Sequence, residues 1–142
     1  KVLQDDGVGL RIMLDFLRDS CADAPSPWQP FATALMALGE AIQRAVMLTK
    51  QRLKSSGPVR ALADAHDFMI ACGHCVVGAL WLRQALVAER LASKGDDVFL
   101  SGKRKTAQYF WQHELPDATA AIGRVLAGQG SVADVQDAEF GE

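Results

Sequence analysis

Residues 28–55 read WQPFATALMALGEAIQRAVMLTKQRLKS, and this stretch decides the fold class. Apolar or small residues recur at Trp28, Phe31, Leu35, Leu38, Ile42, Ala45, Thr49 and Leu53, in steps of three and four. A helix turns about 100° per residue, so all eight fall on one side, and the spacing predicts a helix buried along that stripe. Gln43, Arg44, Lys50, Gln51 and Lys54 take the complementary faces. Pro30 stands in the first turn, where a missing N–H costs no intrahelical bond. Ser56-Gly57-Pro58 closes the segment.

Upstream, a first helical segment is expected from about residue 5 to residue 22. It stops before Ala24-Pro25-Ser26-Pro27, because closely spaced prolines cannot continue a helix interior. Downstream, Pro58 is placed to open a third helix running to about residue 94. Val59, Leu62, His66, Met69, Gly73, Val76, Leu80 and Val87 carry the same rhythm, and the spacing predicts them as its buried stripe. Gly95-Asp96-Asp97 then supplies a stop and an acidic N-cap.

A fourth helix is expected over residues 98–127, kinked or broken at Pro116. No period-two run rich in β-branched residues occurs, so the prediction is all-α. Long helices joined by short turns pack as an up-and-down four-helix bundle, expected over residues 1–128 as one domain. Beyond Gly128-Gln129-Gly130, residues 129–142 form a small, acidic tail. It is expected to be flexible, with residues 131–140 fraying rather than forming a stable helix.

Composition narrows the function classes. With 142 residues, 49% hydrophobic and 23% charged, the chain is long and apolar enough for one enclosed core. A net charge of -2 gives no overall basic field, so no nucleic-acid partner is expected. The longest central stretch free of Asp, Glu, Lys and Arg is 68–82. That is shorter than the ~20 residues a bilayer span needs, so no transmembrane segment is expected. Lys1-Val2-Leu3-Gln4-Asp5-Asp6 lacks the apolar core of a signal peptide, and a start on Lys1 reads as a processed or excised chain. Three cysteines are too few for a disulfide scaffold, which predicts a reducing, cytoplasmic compartment.

Four groups could carry chemistry. Cys72-Gly73-His74-Cys75 matches a redox dithiol as a string, but that chemistry needs the first thiol at a helix N-terminus after a strand. Here the string lies mid-helix among apolar residues, where free cysteine acts as a small hydrophobe. Zinc would need four converging ligands. Cys72 and Cys75 share a helix face, whereas His66 and His74 point elsewhere, and His113 or Cys21 would have to complete the set. His113 and Glu114 are adjacent on a helix and so cannot form an acid–base relay. Lys103-Arg104-Lys105 and the group Lys50, Arg52 and Lys54 could meet phosphates, but no aromatic platform is interleaved and solvated helix surface is the expectation. No catalytic, cofactor or metal residue is therefore assigned to this chain. The small residues Ala71, Gly73, Gly78 and Ala79 instead predict close helix or partner approach, because glycine inside a helix costs about 1 kcal/mol.

Thr106-Ala107-Gln108-Tyr109-Phe110-Trp111-Gln112-His113-Glu114-Leu115-Pro116 resembles the "tARFYaehvLP" segment of the C-terminal helical domain of certain bacterial acyl-CoA dehydrogenases. Phe68-Met69-Ile70-Ala71-Cys72-Gly73, followed by Gly78, resembles that domain's "YLrlfG…GGW" helix, and Lys1-Val2-Leu3-Gln4-Asp5-Asp6-Gly7 its "GRKvlrdGG" entry segment. The resemblance keeps its order from residue 1 to about residue 128. Gln108 replaces an arginine, Glu114 a small or apolar residue, and Ala79 the tryptophan, with Trp81 two positions later.

The resemblance implies a parent enzyme that removes the α-proton of an acyl-CoA and passes the β-hydride to FAD. The family's "YEGT" glutamate lies upstream, as do most of its flavin-holding residues, and neither "YEGT" nor an equivalent occurs in this chain. It further implies that the chain is an inactive accessory domain, packing on the parent's catalytic domains and within its homo-oligomer. Gly73, Gly78, His113 and Pro116 are its candidate packing or interface residues. The alternative is a stand-alone helical interaction module without enzyme activity.

Overall fold

A computed structural model describes residues 7–92, 95, 97–128 and 130–141. Among them every regular element is helical and there is no strand, so the chain is all-α. The elements are α1 (Val8–Cys21), α2 (Gln29–Ala61), α3 (Ala65–Ala92), α4 (Val98–Tyr109) and α5 (Leu115–Ala127). A π turn, Phe110–Glu114, joins α4 to α5, and a 3₁₀ turn, Ser26–Trp28, leads into α2. The expected start of the first helix at residue 5 and end of the third at residue 94 lie outside the described residues, as do Asp96 and the entry segment 1–6.

The decisive stretch behaves as its spacing predicts. Phe31, Leu35, Leu38, Ile42 and Ala45 are buried, while Gln43, Arg44, Gln51 and Lys54 are exposed. The break at Gly57 is also where expected. Its φ of 75° and ψ of 174° leave the helical region, a conformation that favours glycine. The segment after this break departs from expectation. Beyond Pro58 the chain makes one more turn and ends where the Leu62 N–H donates to the Pro58 carbonyl at 3.0 Å. The third helix starts only at Ala65, because proline's fixed φ suits a first turn without guaranteeing a second.

α3 also corrects the predicted burial. Its buried residues are Ala71, Cys75, Gly78, Ala79, Leu82, Ala85 and Ala88. Of the stripe predicted as core, Met69 is 72% exposed, Leu80 45% and Val87 43%, and Gly73 is exposed too. The cause is that α3 is apolar around most of its circumference, so periodicity cannot choose a face. Five of the seven buried residues are alanine or glycine, which let neighbouring helices approach, while Met69, Leu80 and Val87 turn outward.

The fourth segment neither breaks nor stops at Pro116. Proline has no N–H, and its ring crowds the carbonyl four residues back. The π turn just before it widens the helix, with the Leu115 N–H reaching the Phe110 carbonyl, and α5 continues. At the other end of this rod, the Asp97 side chain caps α4 by accepting from the Leu100 N–H at 2.7 Å.

α2 and α3 pack on each other; α1 packs against both, α5 against both, and α4 against α3. Among the described residues the largest fully buried side chains are Phe31, Leu17, Leu35, Ile42, Leu82, Ile122 and Cys75. No buried side-chain nitrogen or oxygen among the described residues lacks a partner. Arg52 closes one end of the molecule. Its guanidinium donates to the carbonyls of Val125 at 2.7 Å and Leu126 at 3.0 Å, which α5's last turn leaves unpaired. The residues after α5 form two 3₁₀ turns, Ser131–Asp134 and Asp137–Phe140, the first tied to α2 by an ion pair between Asp134 and Arg60.

By length and composition alone, α2 and α3 are each long and apolar enough to cross a membrane. Half of the most apolar stretch of α2 is buried inside the protein, which accounts for its character, but only a third of that of α3 is.

Candidate functional site

The Cys72-Gly73-His74-Cys75 string sits in the body of α3 with helix on both sides. Cys75 is fully buried and Cys72 half-buried. Burial pushes the Cys72 thiol up to about 11, and burial together with the neighbouring thiols pushes Cys75 to about 12; burial also takes Cys21 to about 11. The thiolate is the nucleophile and metal ligand, so these thiols are suited to packing rather than exchange. An ordinary value of 9.0 raised to about 11 leaves on the order of a hundredfold less thiolate at neutral pH. The folded chain is therefore expected to react with a disulfide reagent at pH 8 at least tenfold more slowly than the chain in denaturant; equal rates would contradict the burial. The linkage has a definite sign. Unfolded thiols ionise first, so the three thiols' contribution to stability is full below about pH 9 and falls as the pH climbs toward the folded values.

His74 is not directed at these thiols. Its Nδ1 pairs with the Ile70 carbonyl at 2.9 Å, Nε2 lies 3.6 Å from Glu114 Oε2, and the ring rests 5.8 Å from Phe110. Glu114 thus faces His74, while its neighbour His113 is exposed and stacks on Tyr109 at 4.7 Å. Among the described residues, no three His, Cys, Asp or Glu side chains are grouped to hold a metal ion.

Several basic residues are engaged within the chain. Lys103 Nζ donates to Gln84 at 3.0 Å and lies 5.4 Å from the Trp81 and Phe99 rings; Arg104 is 3.9 Å from Glu89, and Arg52 caps α5. An apolar cavity between Val46, Ala61, Phe68 and Val125 measures about 60 Å³, and an open groove lined by Ser20, Arg83, Leu86, Glu89 and Arg90 measures about 500 Å³.

The four candidate packing residues divide. Gly78 is buried where helices meet: a β-carbon there would stand 2.6 Å from Leu35 Cδ2 and 3.1 Å from Phe110 Cε1. Gly73, His113 and Pro116 are on the surface, and nothing in the chain lies within 4 Å of where a Gly73 β-carbon would be.

The feature that sequence reasoning missed is the outward face of α3. Met69, Val77, Leu80, Val87 and Leu91 are all exposed there, and at its C-terminal end Val87 and Leu91 line an apolar groove with Phe99 and Leu100 of α4. Its signal was present as an excess: α3 carries more large apolar residues than one buried face accommodates. This surface is the candidate site.

The family model described as "Acetyl-CoA dehydrogenase C-terminal like" matches residues 13–136, most of the chain. No curated protein and no solved structure matches.

Proposed function

We propose a role from one premise: the chain belongs to the acetyl-CoA dehydrogenase C-terminal-like family. It serves as the C-terminal accessory domain of an FAD-dependent acyl-CoA dehydrogenase and does not catalyse by itself. Its helices form an up-and-down four-helix bundle, with α4, the π turn and α5 acting as one rod. The parent enzyme, acting in the cytoplasm, takes the α-proton of an acyl-CoA thioester with residues upstream of this domain. FAD supplies the hydride acceptor there. The flavin is held by the catalytic domains of that parent, in keeping with the family resemblance, which puts most flavin-holding residues upstream of this domain. The domain's contribution is packing, against those domains and within the homo-oligomer.

The observation that carries this reading is the family match over residues 13–136. The closed core and outward apolar helix are consistent with a domain whose chemistry lies elsewhere. The test is a visible absorption spectrum of the protein expressed from the complete gene, before and after adding a panel of acyl-CoAs. A flavin band that bleaches with one of them is expected. A complete gene product without flavin would overturn the dehydrogenase assignment and favour the stand-alone interaction module.

A further inference from the structure

We infer that the groove between the end of α1 and the C-terminal half of α3 binds a small zwitterion, an amino acid with an apolar side chain. The groove measures about 500 Å³, within the ~300–1,000 Å³ of small-molecule sites. It is lined by a fixed cation, by carboxylates and by apolar side chains, and each matches one part of such a ligand.

The cation is Arg83. Its Nε donates to Ser20 Oγ at 2.8 Å, and its guanidinium carbon lies 4.5 Å from the centre of the Phe16 ring. Ser20 is only 2% exposed, and its hydroxyl donates to the Phe16 carbonyl at 2.6 Å. The guanidinium is thus held by its inner nitrogen and by one face. Among the described residues no carboxylate pairs with it, which leaves its two terminal nitrogens without a partner in the chain. A planar fork held in this way is preorganised for the two oxygens of a carboxylate.

The negative side is the end of α1. Asp19 stands in its last turn and Asp23 just beyond it, where the helix dipole already disfavours negative charge. Arg18, the cation of that turn, pairs with Asp15 instead, and neither Asp19 nor Asp23 has an ion-pair partner among the described residues. A primary ammonium would relieve this charge by donating N–H bonds to the carboxylates. A phosphate dianion is a poor match, because Asp19, Asp23 and Glu89 line the groove against Arg83 and Arg90. Glu89 turns away from the ligand, toward Trp28 Nε1 at 3.3 Å and Arg104 at 3.9 Å. Pro25, Leu86 and Val87 supply the apolar wall for a side chain.

The test is isothermal titration calorimetry on the protein expressed from the complete gene. The probes are L-leucine, isocaproate, which lacks its amine, and isoamylamine, which lacks its carboxylate. Leucine is expected to bind with a Kd on the order of 0.1–1 mM, and each half-ligand roughly tenfold more weakly. Arg83→Gln should abolish binding of both leucine and isocaproate. Circular dichroism checks its fold, which should hold because Arg83 is an exposed residue. The double variant Asp19→Asn with Asp23→Asn should weaken leucine yet strengthen isocaproate, a crossover that a merely structural role would not produce.

A protein that takes up no leucine overturns the proposal, and so does leucine binding that survives R83Q. Isocaproate binding as tightly as leucine, or a double variant that binds leucine unchanged, would reduce the groove to an anion site and overturn the zwitterion assignment. The proposal goes beyond the dehydrogenase reading. A gene product without flavin would leave it standing, and a groove that stays empty would leave the flavin result untouched.

Discussion

Phe31→Ala is expected to lower the unfolding free energy by about 3–5 kcal/mol. Phe31 is fully buried near the start of α2, and its ring stacks on Trp111 of the π turn with centroids 6.0 Å apart and planes inclined by 16°. It therefore links the first turns of the longest helix to the irregular segment of the α4–α5 rod. Removing it costs the transfer free energy of the ring plus a cavity term. α2 cannot move inward to fill the void, because Leu35 four residues on is also fully buried and lies under Gly78 of α3. A domain of this size has about 5–15 kcal/mol in total, so the variant would approach the threshold of folding. Urea denaturation monitored by tryptophan fluorescence measures it, with Phe140→Ala as the comparison. Phe140 is 79% exposed, and its truncation should fall within about 0.5 kcal/mol of the parent sequence. Equal costs for the two phenylalanines would show that the core is not centred on α2. Both curves belong at one low protein concentration, because any self-association adds stability by mass action.

The contrast between α2 and α3 shows which parts of this fold are legible in a sequence. The stripe of α2 could be read because Gln43, Arg44 and Gln51 mark the opposite face. α3 has few such markers, so the same arithmetic selected Met69, Leu80 and Val87, which point outward. The better signal was side-chain size. Ala71, Gly78 and Ala79 were identified as close-approach residues and are buried, while Gly73 has the same composition and the opposite environment. Local punctuation was readable at Gly57 and Asp97, where a φ or a cap is a property of one residue. It was less so at Pro116, where the sequence marks a disturbance but not its relief by a π turn. Long-range partners were not readable at all: Arg52 looked like a solvated cation and instead closes a helix 73 residues away. The family was recognisable before any of this geometry, because the resemblance rests on short motifs such as the one around Tyr109-Phe110-Trp111 and not on burial patterns.

Two glycines on α3, five residues apart, should respond to substitution with opposite signs. Gly78→Leu is expected to destabilise the chain by about 2–3 kcal/mol, because overpacking a tight core costs that much and more than offsets the ~1 kcal/mol of helix propensity regained. The clash is already present at the β-carbon, 2.6 Å from Leu35 Cδ2 and 3.1 Å from Phe110 Cε1, and the three further carbons of leucine extend the side chain into the same packed layer. Leu35 is fully buried and cannot simply swing into solvent. Relief requires α3 to move away from α2, which would loosen the contacts of Ala71 and Ala79 on the same face. Gly73→Ala meets nothing within 4 Å and keeps an ordinary helical conformation, so it should stabilise the monomer by about 0.5–1 kcal/mol through helix propensity and the loss of unfolded-state freedom. Thermal melts of both variants beside the parent sequence measure the two effects. If Gly78→Leu is tolerated, α2 and α3 are not in close contact at this layer; if Gly73→Ala melts earlier than the parent, position 73 is not open surface.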